Sequence, residues 1–457
     1  MGVGRTCLLT LVPAIALSAT RAGSQGIPAR RVPIDQLAPR VSDGTRATAT
    51  SVAASDATRP TNDDARDGVW VPIAMRSLRV LRADEVVRAA PSDVAARRGT
   101  VARDTLLPAL EARLGPGCAS RWIRVSTDGW MCLDETQLAP DPPLATAQPV
   151  VHAGDVVPYH YAFAAYSGVP VYRRLQDVDV DDRDQELERG FGIAIDGSGR
   201  LDGRTFMRTL SGRWIANRDL NWARPSNREG VLFDATEPVE SVGFVGARVS
   251  TFATADAAAG GNVRPTGVLL QRTGVHVRER QTVRGHRVVR TDQGWIRAET
   301  VRGPESVLPP DGTGAAERWV DVDTRRQILV AYEGARAVMA TLVSTGRSGA
   351  RTAHGVHRVW VKLATSDMSN MDTDQMDTTT SVYSVQRVPW VMYFHGDQAL
   401  HGAYWHDQYG TARSHGCVNL PPRVAQWLFD WAPPALPAGW TAVFPTDAHP
   451  GLRVRVR

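Results

Sequence analysis

The stretch HGAYWHDQYGTARSHGCVNL, from His401 to Leu420, gathers three histidines and one cysteine near the C-terminal end of a 457-residue chain. A thiol becomes a strong nucleophile once ionised, and an imidazole within hydrogen-bond reach can take its proton and later return one to a leaving amine. His401 and Cys417 are separated by a polar, glycine-bearing loop that is long enough for the chain to double back and bring the two side chains together. Gly416 beside Cys417 permits a tight turn and lets backbone N–H groups point at a developing oxyanion. A zinc site made of His401, His406, His415 and Cys417 is chemically allowed. Its spacings match none of the common paired-ligand patterns such as CxxC or HExxH, so no metal is expected. A structural role would suit any one of these residues alone. It does not suit the set, because SHGCVN places an imidazole, a glycine and a thiol consecutively.

The elements that must hold these residues read as strands. From Arg318 the pattern RWVDVDTRRQILVAYEGARAVMATLVSTG gives three apolar or alternating runs joined by turns at Asp323-Thr324 and Glu333-Gly334. Further strands follow at GVHRVWVKLA and RVPWVMYFHGDQALHGAYWH, the latter a hairpin through Gly396-Asp397 with His401 on its returning arm. Only PPRVAQWLFDW reads as a helix, with prolines at its first turn and Val424, Trp427, Leu428 and Trp431 on one apolar face. A helix starting near Pro421 would add positive potential favouring a thiolate. The expectation is a mainly β chain whose C-terminal domain is a β-sandwich with one short helix.

The His401–Leu420 stretch resembles the signature of the L,D-transpeptidase (YkuD-type) catalytic domain, in which His-Gly is followed after a loop by Ser/Thr-His-Gly-Cys and then often Asn or Arg. The resemblance extends from Arg318 to Phe444, through WVDVDTRRQILVAYEG, VSTG at Val343 to Gly346, VKLATSDM at Val361 to Met368, and VPWVMYFHGDQALHGAYWH. It implies that Cys417 is the nucleophile and His401 the general base and acid. Gly402 would orient the His401 ring through its carbonyl, Ser414 and His415 would support the cysteine, and the Gly416-Cys417 backbone would form the oxyanion hole. Tyr393 and Asn419 fall where the family lines its substrate groove. One departure is TAHG at Thr352 to Gly355, where the family often has Thr-Pro-x-Gly. The implied substrate is a peptidoglycan stem peptide, with no cofactor. An NlpC-type wall peptidase is the enzymatic alternative, but that class places its cysteine before its histidine, whereas here only His449 follows Cys417. An inert wall-binding scaffold is the non-enzymatic alternative, against which the intact His401/Cys417 pair counts.

Upstream, three segments share an ending: STDGWMCLDETQL around Trp130, LSGRWIANRDL around Trp214 and TDQGWIRAETV around Trp295, at near-equal spacing. They read as three copies of one small β unit, and the first resembles a bacterial SH3-like barrel, a module type that commonly binds cell-wall material. Core filling is the expected role of the tryptophans. The N-terminus has Arg5, an apolar run from Cys7 to Ala19 and small residues from Ser18 to Ala22, the pattern of a signal peptide. The expected organisation is a signal peptide (1–22), a disordered linker (23–67), SH3-like domains (68–140, 150–235 and 240–303), a linker (304–316) and the catalytic domain (317–446). Because the signature lies after the last linker, a fragment starting near Gly314 is expected to fold and keep acyl transfer.

Export sets how the cysteines are read. Cys118 and Cys132 flank a strand-turn-strand with Asp128-Gly129 at the turn, so a disulfide is expected in an oxidising periplasm or cell envelope. Cys417 is then left as a lone thiol. The formal charge of +5 is modest, and basic residues, of which Lys362 is the only lysine, are interspersed with acids. Nucleic acid is therefore not an expected partner, whereas wall peptides are, and no later stretch is apolar enough to span a membrane in the mature chain.

Overall fold

A computed structural model describes residues 75–144, 148–370 and 383–457. The expected signal peptide and linker lie outside the described residues. Among the described residues the chain is mainly β and divides into two compact units, one formed by residues 75–144 and 148 with 436–444, the other by 149–370, 383–435 and 445–457. Among the described residues no helix is long and apolar enough to cross a membrane.

The first unit is built from short strands, such as Trp122–Ser126 and Gly129–Cys132, which pair as a hairpin. Cys118 and Cys132 form a disulfide there, with Cα atoms 5.6 Å apart. The core gathers Leu78, Val80, Val87, Val101, Ile123 and Met131 around Trp440, which comes from far along the chain. The strand Trp440–Val443 pairs antiparallel with Arg97–Val101, and Gly99 leaves room for the Trp440 ring: a Cβ there would sit 2.4 Å from it.

The second unit holds the other two repeat segments and the signature. All three segments end alike, with a strand opened by or containing the tryptophan, a single 3-10 turn and a short strand: 129–139, 214–222 and 294–302. Trp130 and Trp295 are buried, whereas Trp214 is half-buried. The third segment forms small two- and three-stranded sheets and holds a short helix, Ala255–Ala258, whereas the second joins a larger sheet that reaches the signature region through Gly192 and Val385.

Strands of the signature region are numbered here from its start: β1 Arg318–Asp323, β2 Ile328–Glu333, β3 Arg336–Leu342, β4 Gly355–Arg358, β5 Val361–Ser369, β6 Ser384–His395, β7 Gln398–Gly402, β8 Val418–Leu420 and β9 Arg453–Val456. A six-stranded sheet runs Val231–Leu232, β3, β2, β1, β9, β4. Its anchor is Trp319, wholly buried, stacked on Tyr332 at 4.4 Å and donating its indole N–H to Gly334 O. The remaining strands pair in the order β5, β6, β7, β8, antiparallel except for the parallel β7–β8 pair.

Helix α1, Pro422–Trp431, follows β8 and packs on β6 and β7. Its buried face is Val424, Ala425, Leu428 and Phe429, which differs from the expected stripe. Trp427 and Trp431, one turn apart, instead stack on each other at 5.5 Å along the flank, where Arg318 covers Trp431. The helix end is held by Lys362, which is fully buried and donates to the carbonyls of Phe429, Ala432 and Pro434 at 2.6, 2.6 and 2.8 Å. These are carbonyls at and just beyond the helix end that no further turn can satisfy.

Candidate active site

The parallel ladder places β7 beside β8, with Leu400 opposite Val418 and His401 opposite Asn419. Strand residues two apart share a face. Cys417 immediately precedes β8, two residues before Asn419, the residue that pairs with His401. The pairing lays the strand that follows Cys417 beside the strand that carries His401. Cys417 is 5% exposed and His401 2%. The Cys417 thiol lies 3.8 Å from the carbonyl oxygen of Asp397, in the turn between β6 and β7.

His401 has its Nδ1 3.3 Å from Gly402 O, which assigns the proton to Nδ1 and leaves the lone pair on Nε2. Burial pulls its pKa down to about 4, against a smaller opposing effect of that carbonyl. The ring is consequently neutral near pH 7, the form that accepts a proton. A Cβ at Gly402 would lie 3.2 Å from the Trp390 ring, 3.3 Å from Pro389 and 3.4 Å from Ala425, so these neighbours would have to shift by a few tenths of an ångström to accept a larger residue. Trp390 itself sits at φ 57, a backbone conformation that a bulky residue adopts only when its surroundings enforce it.

The turn before Cys417 is fixed from the VSTG segment. Ser344 and Asn419 exchange both backbone hydrogen bonds, and Ser414 N donates to Thr345 O while Arg347 N donates to Ser414 O. The Ser414 hydroxyl donates to Cys417 O and accepts from Gly416 N, so it closes the turn on itself. Gly416 has φ 128, and a Cβ would fall 2.8 Å from Gln398 Nε2. Its carbonyl accepts from Thr352 Oγ1 at 2.8 Å, and that hydroxyl accepts from Gly346 N at 2.9 Å. Thr352 opens the TAHG segment, so the departure from the family pattern retains the residue that reaches the turn.

His415 points elsewhere. Its Nε2 meets Arg347 Nη2 at 2.9 Å and its ring stacks on Tyr383 at 4.7 Å. Burial, with Arg347 adding to it, lowers its pKa. Asn419 is 4% exposed, with its side-chain amide 3.1 Å from His406 Nε2. Tyr393 is 3% exposed on β6, its hydroxyl 3.3 Å from Ser366 Oγ and its ring 5.7 Å from Trp360. Burial also brings His406 to about pKa 4. Among the described residues, His401, His406, His415 and Cys417 do not form a group able to hold one metal ion; the one such group is Cys118, Cys132 and Asp134, whose two thiols are in the disulfide.

Sequence reasoning did not single out Asp397, Arg347 or Gln398, and it noted Thr352 only as the start of the departing TAHG segment. Asp397 is notable because burial pushes its carboxyl up to about 6, and its backbone carbonyl lies 3.8 Å from the Cys417 thiol. Its place in the Gly396-Asp397 hairpin was the available signal. Arg347, Thr352 and Gln398 reach the site through tertiary packing that no local pattern reports.

Residues 317–454 match the family model of the L,D-transpeptidase catalytic domain, YkuD. No curated protein matches the chain. Among solved structures, an L,D-transpeptidase from Stackebrandtia nassauensis is 24% identical, with 33% of this chain and 60% of that one covered and a TM-score of 0.21. The catalytic domain of an E. faecium L,D-transpeptidase is 22% identical over 31% of this chain and 98% of that one, with a TM-score of 0.24. An L,D-transpeptidase from Mycobacterium smegmatis is 15% identical over 50% of this chain and 100% of that one, with a TM-score of 0.25. This chain therefore spans less than two thirds of the Stackebrandtia protein.

Proposed function

We propose that the protein is a peptidoglycan L,D-transpeptidase with Cys417 as nucleophile and His401 as general base and acid. The observation that supports this reading is the β7–β8 pairing, which lays the strand following the buried Cys417 beside the strand that carries the neutral, buried His401 imidazole, within a segment matching the catalytic-domain family. Nε2 of His401 takes the thiol proton, and the Cys417 sulfur attacks the carbonyl of the amide joining a diamino acid to a terminal D-alanine. The C–N bond breaks, and the D-alanine amine leaves with the proton held by His401. The resulting thioester is attacked by an amine, which gives its proton to His401 as the new amide forms and the thiol is released. The Gly416-Cys417 backbone stabilises the oxyanion in both halves.

Ser414 supports the turn, Gly402 orients the base, His415 steadies the loop through Arg347, and Tyr393 and Asn419 border the substrate groove. The three repeat segments are SH3-like modules that engage the wall. The Cys118–Cys132 disulfide fits an oxidising compartment, so the protein acts after export, in the periplasm or cell envelope. The test is to incubate the full chain with a wall tetrapeptide and a thiol-reactive probe. Protection of Cys417 by the tetrapeptide supports the reading, and labelling unaffected by the peptide opposes it.

A further inference from the structure

The loop from Ala403 to Gly416, which joins the base to the nucleophile, is held by residues that lie far upstream of the signature. Asp407 accepts hydrogen bonds from Arg228 Nε at 2.7 Å and Nη2 at 2.8 Å, and from Ser226 Oγ at 2.5 Å. Burial opposes its charge, but these donors outweigh that and hold the carboxyl below its usual range. Arg272 donates to Tyr409 O at 2.7 Å, and Arg302 to Gly410 O at 3.3 Å. Tyr404, fully buried, stacks on Tyr161 with centroids 3.7 Å apart, and Tyr161 in turn donates to Arg387 O on β6. Tyr409 is also fully buried, in one core with Phe233, Val242 and Phe244, and its hydroxyl, with one proton to donate, lies 3.0 Å from Ala403 O at the start of the loop and 3.1 Å from Leu420 O in β8.

We infer that Arg228, Arg272 and Arg302 are positioning residues, through which the second and third repeat segments fix the loop and so set His401 against Cys417. A forked guanidinium on a carboxylate fixes direction as well as distance, which a single ionic contact does not. Three anchors at Asp407, Tyr409 and Gly410 hold the middle of the loop, while the Tyr409 hydroxyl links its start to β8. A reacting pair displaced by about 1 Å can lose about 100-fold in rate, so an untethered loop is a catalytic defect even where the sheets persist. This replaces the expectation that everything before Gly314 is accessory: a fragment starting there would lack all three arginines. The inference rests on the assignment of His401 and Cys417 as the reacting pair.

The test uses the full chain, comparing wild type with Arg228→Ala, Arg272→Ala, Asp407→Asn and the exchanged pair Arg228→Asp with Asp407→Arg. Two readouts are taken: backbone hydrogen exchange over 403–416, and kcat and KM for release of D-alanine from a tetrapeptide. The single variants are expected to exchange about 10-fold or more faster in the loop, with strands β1 and β2 unchanged, and to lose about 10-fold in kcat with KM within about twofold. The exchanged pair should recover both. Unaltered loop exchange overturns the inference, and so does faster exchange with kcat intact. Should Arg228→Ala lose protection in β1 and β2 as well, Asp407→Asn, which keeps the fork's shape and removes its charge, decides between the same two outcomes. If wild type releases no D-alanine, the transpeptidase reading fails, while the exchange arm still reports on the anchoring.

Discussion

Acidification is the perturbation that reaches His401 most directly. In the unfolded chain its imidazole titrates near ~6.5. In the folded protein the ring is 2% exposed and burial pulls the value down to about 4. Above ~6.5 both states hold the neutral ring and the group contributes nothing to pH dependence. Between that value and about 4 the unfolded chain takes up a proton that the folded state refuses, so stability falls as pH falls. At ~1.4 kcal/mol per pH unit the gap is worth about 3 kcal/mol, most of it lost by the time pH 4 is reached. Urea denaturation of wild type and His401→Gln at pH 7, 5.5 and 4 measures this, with the variant expected to lose about 3 kcal/mol less over that range. His406, also held near 4, titrates in both proteins, and because burial and Arg413 outweigh His401 among the causes of its lowering, most of its contribution cancels in the comparison. Parallel stability curves for the two proteins would refute the assignment of His401 as a buried neutral base.

Other consequences follow from the same geometry. Cys417→Ser should abolish turnover, since a hydroxyl ionises far less readily beside the same ring, and His401→Ala should lower kcat by about 100-fold or more with donor binding retained. His415→Ala should cost less than either, because its contacts run to Arg347 and Tyr383; equal, mild losses in all three would favour an inert scaffold. Gly416→Ala should destabilise by about 1–3 kcal/mol in thermal melts and remove most activity, as it adds a Cβ at φ 128 and 2.8 Å from Gln398. Opening the Cys118–Cys132 disulfide should lower stability of the first unit by about 3 kcal/mol, read by denaturation with and without reductant.

Much of the signature region was legible because local chemistry decides it. The turns read at Asp323-Thr324, Glu333-Gly334 and Gly396-Asp397 fall between β1 and β2, β2 and β3, and β6 and β7. The helix begins at Pro422, where the missing N–H costs nothing. The partners of individual residues were not legible. Trp440–Val443 reads only as a short apolar run, and nothing local says that it pairs with Arg97–Val101. Arg228, Arg272 and Arg302 are three among many arginines, and their roles come from tertiary proximity to Asp407, Tyr409 and Gly410. Lys362 was visible as the sole lysine, yet only the fold shows its ammonium capping α1. The stripe of Trp427 and Trp431 obeyed helical period, but two indoles one turn apart stack on each other and leave the buried face to Ala425 and Phe429.

The most direct test of the account is intact mass spectrometry of the full protein after incubation with a diamino-acid tetrapeptide, followed by peptide mapping. The account predicts an adduct on Cys417 equal to the tetrapeptide minus D-alanine, absent in Cys417→Ser and discharged by an added amine. An adduct lacking a whole dipeptide, an adduct on another residue, or an unmodified Cys417 with intact peptide would contradict it.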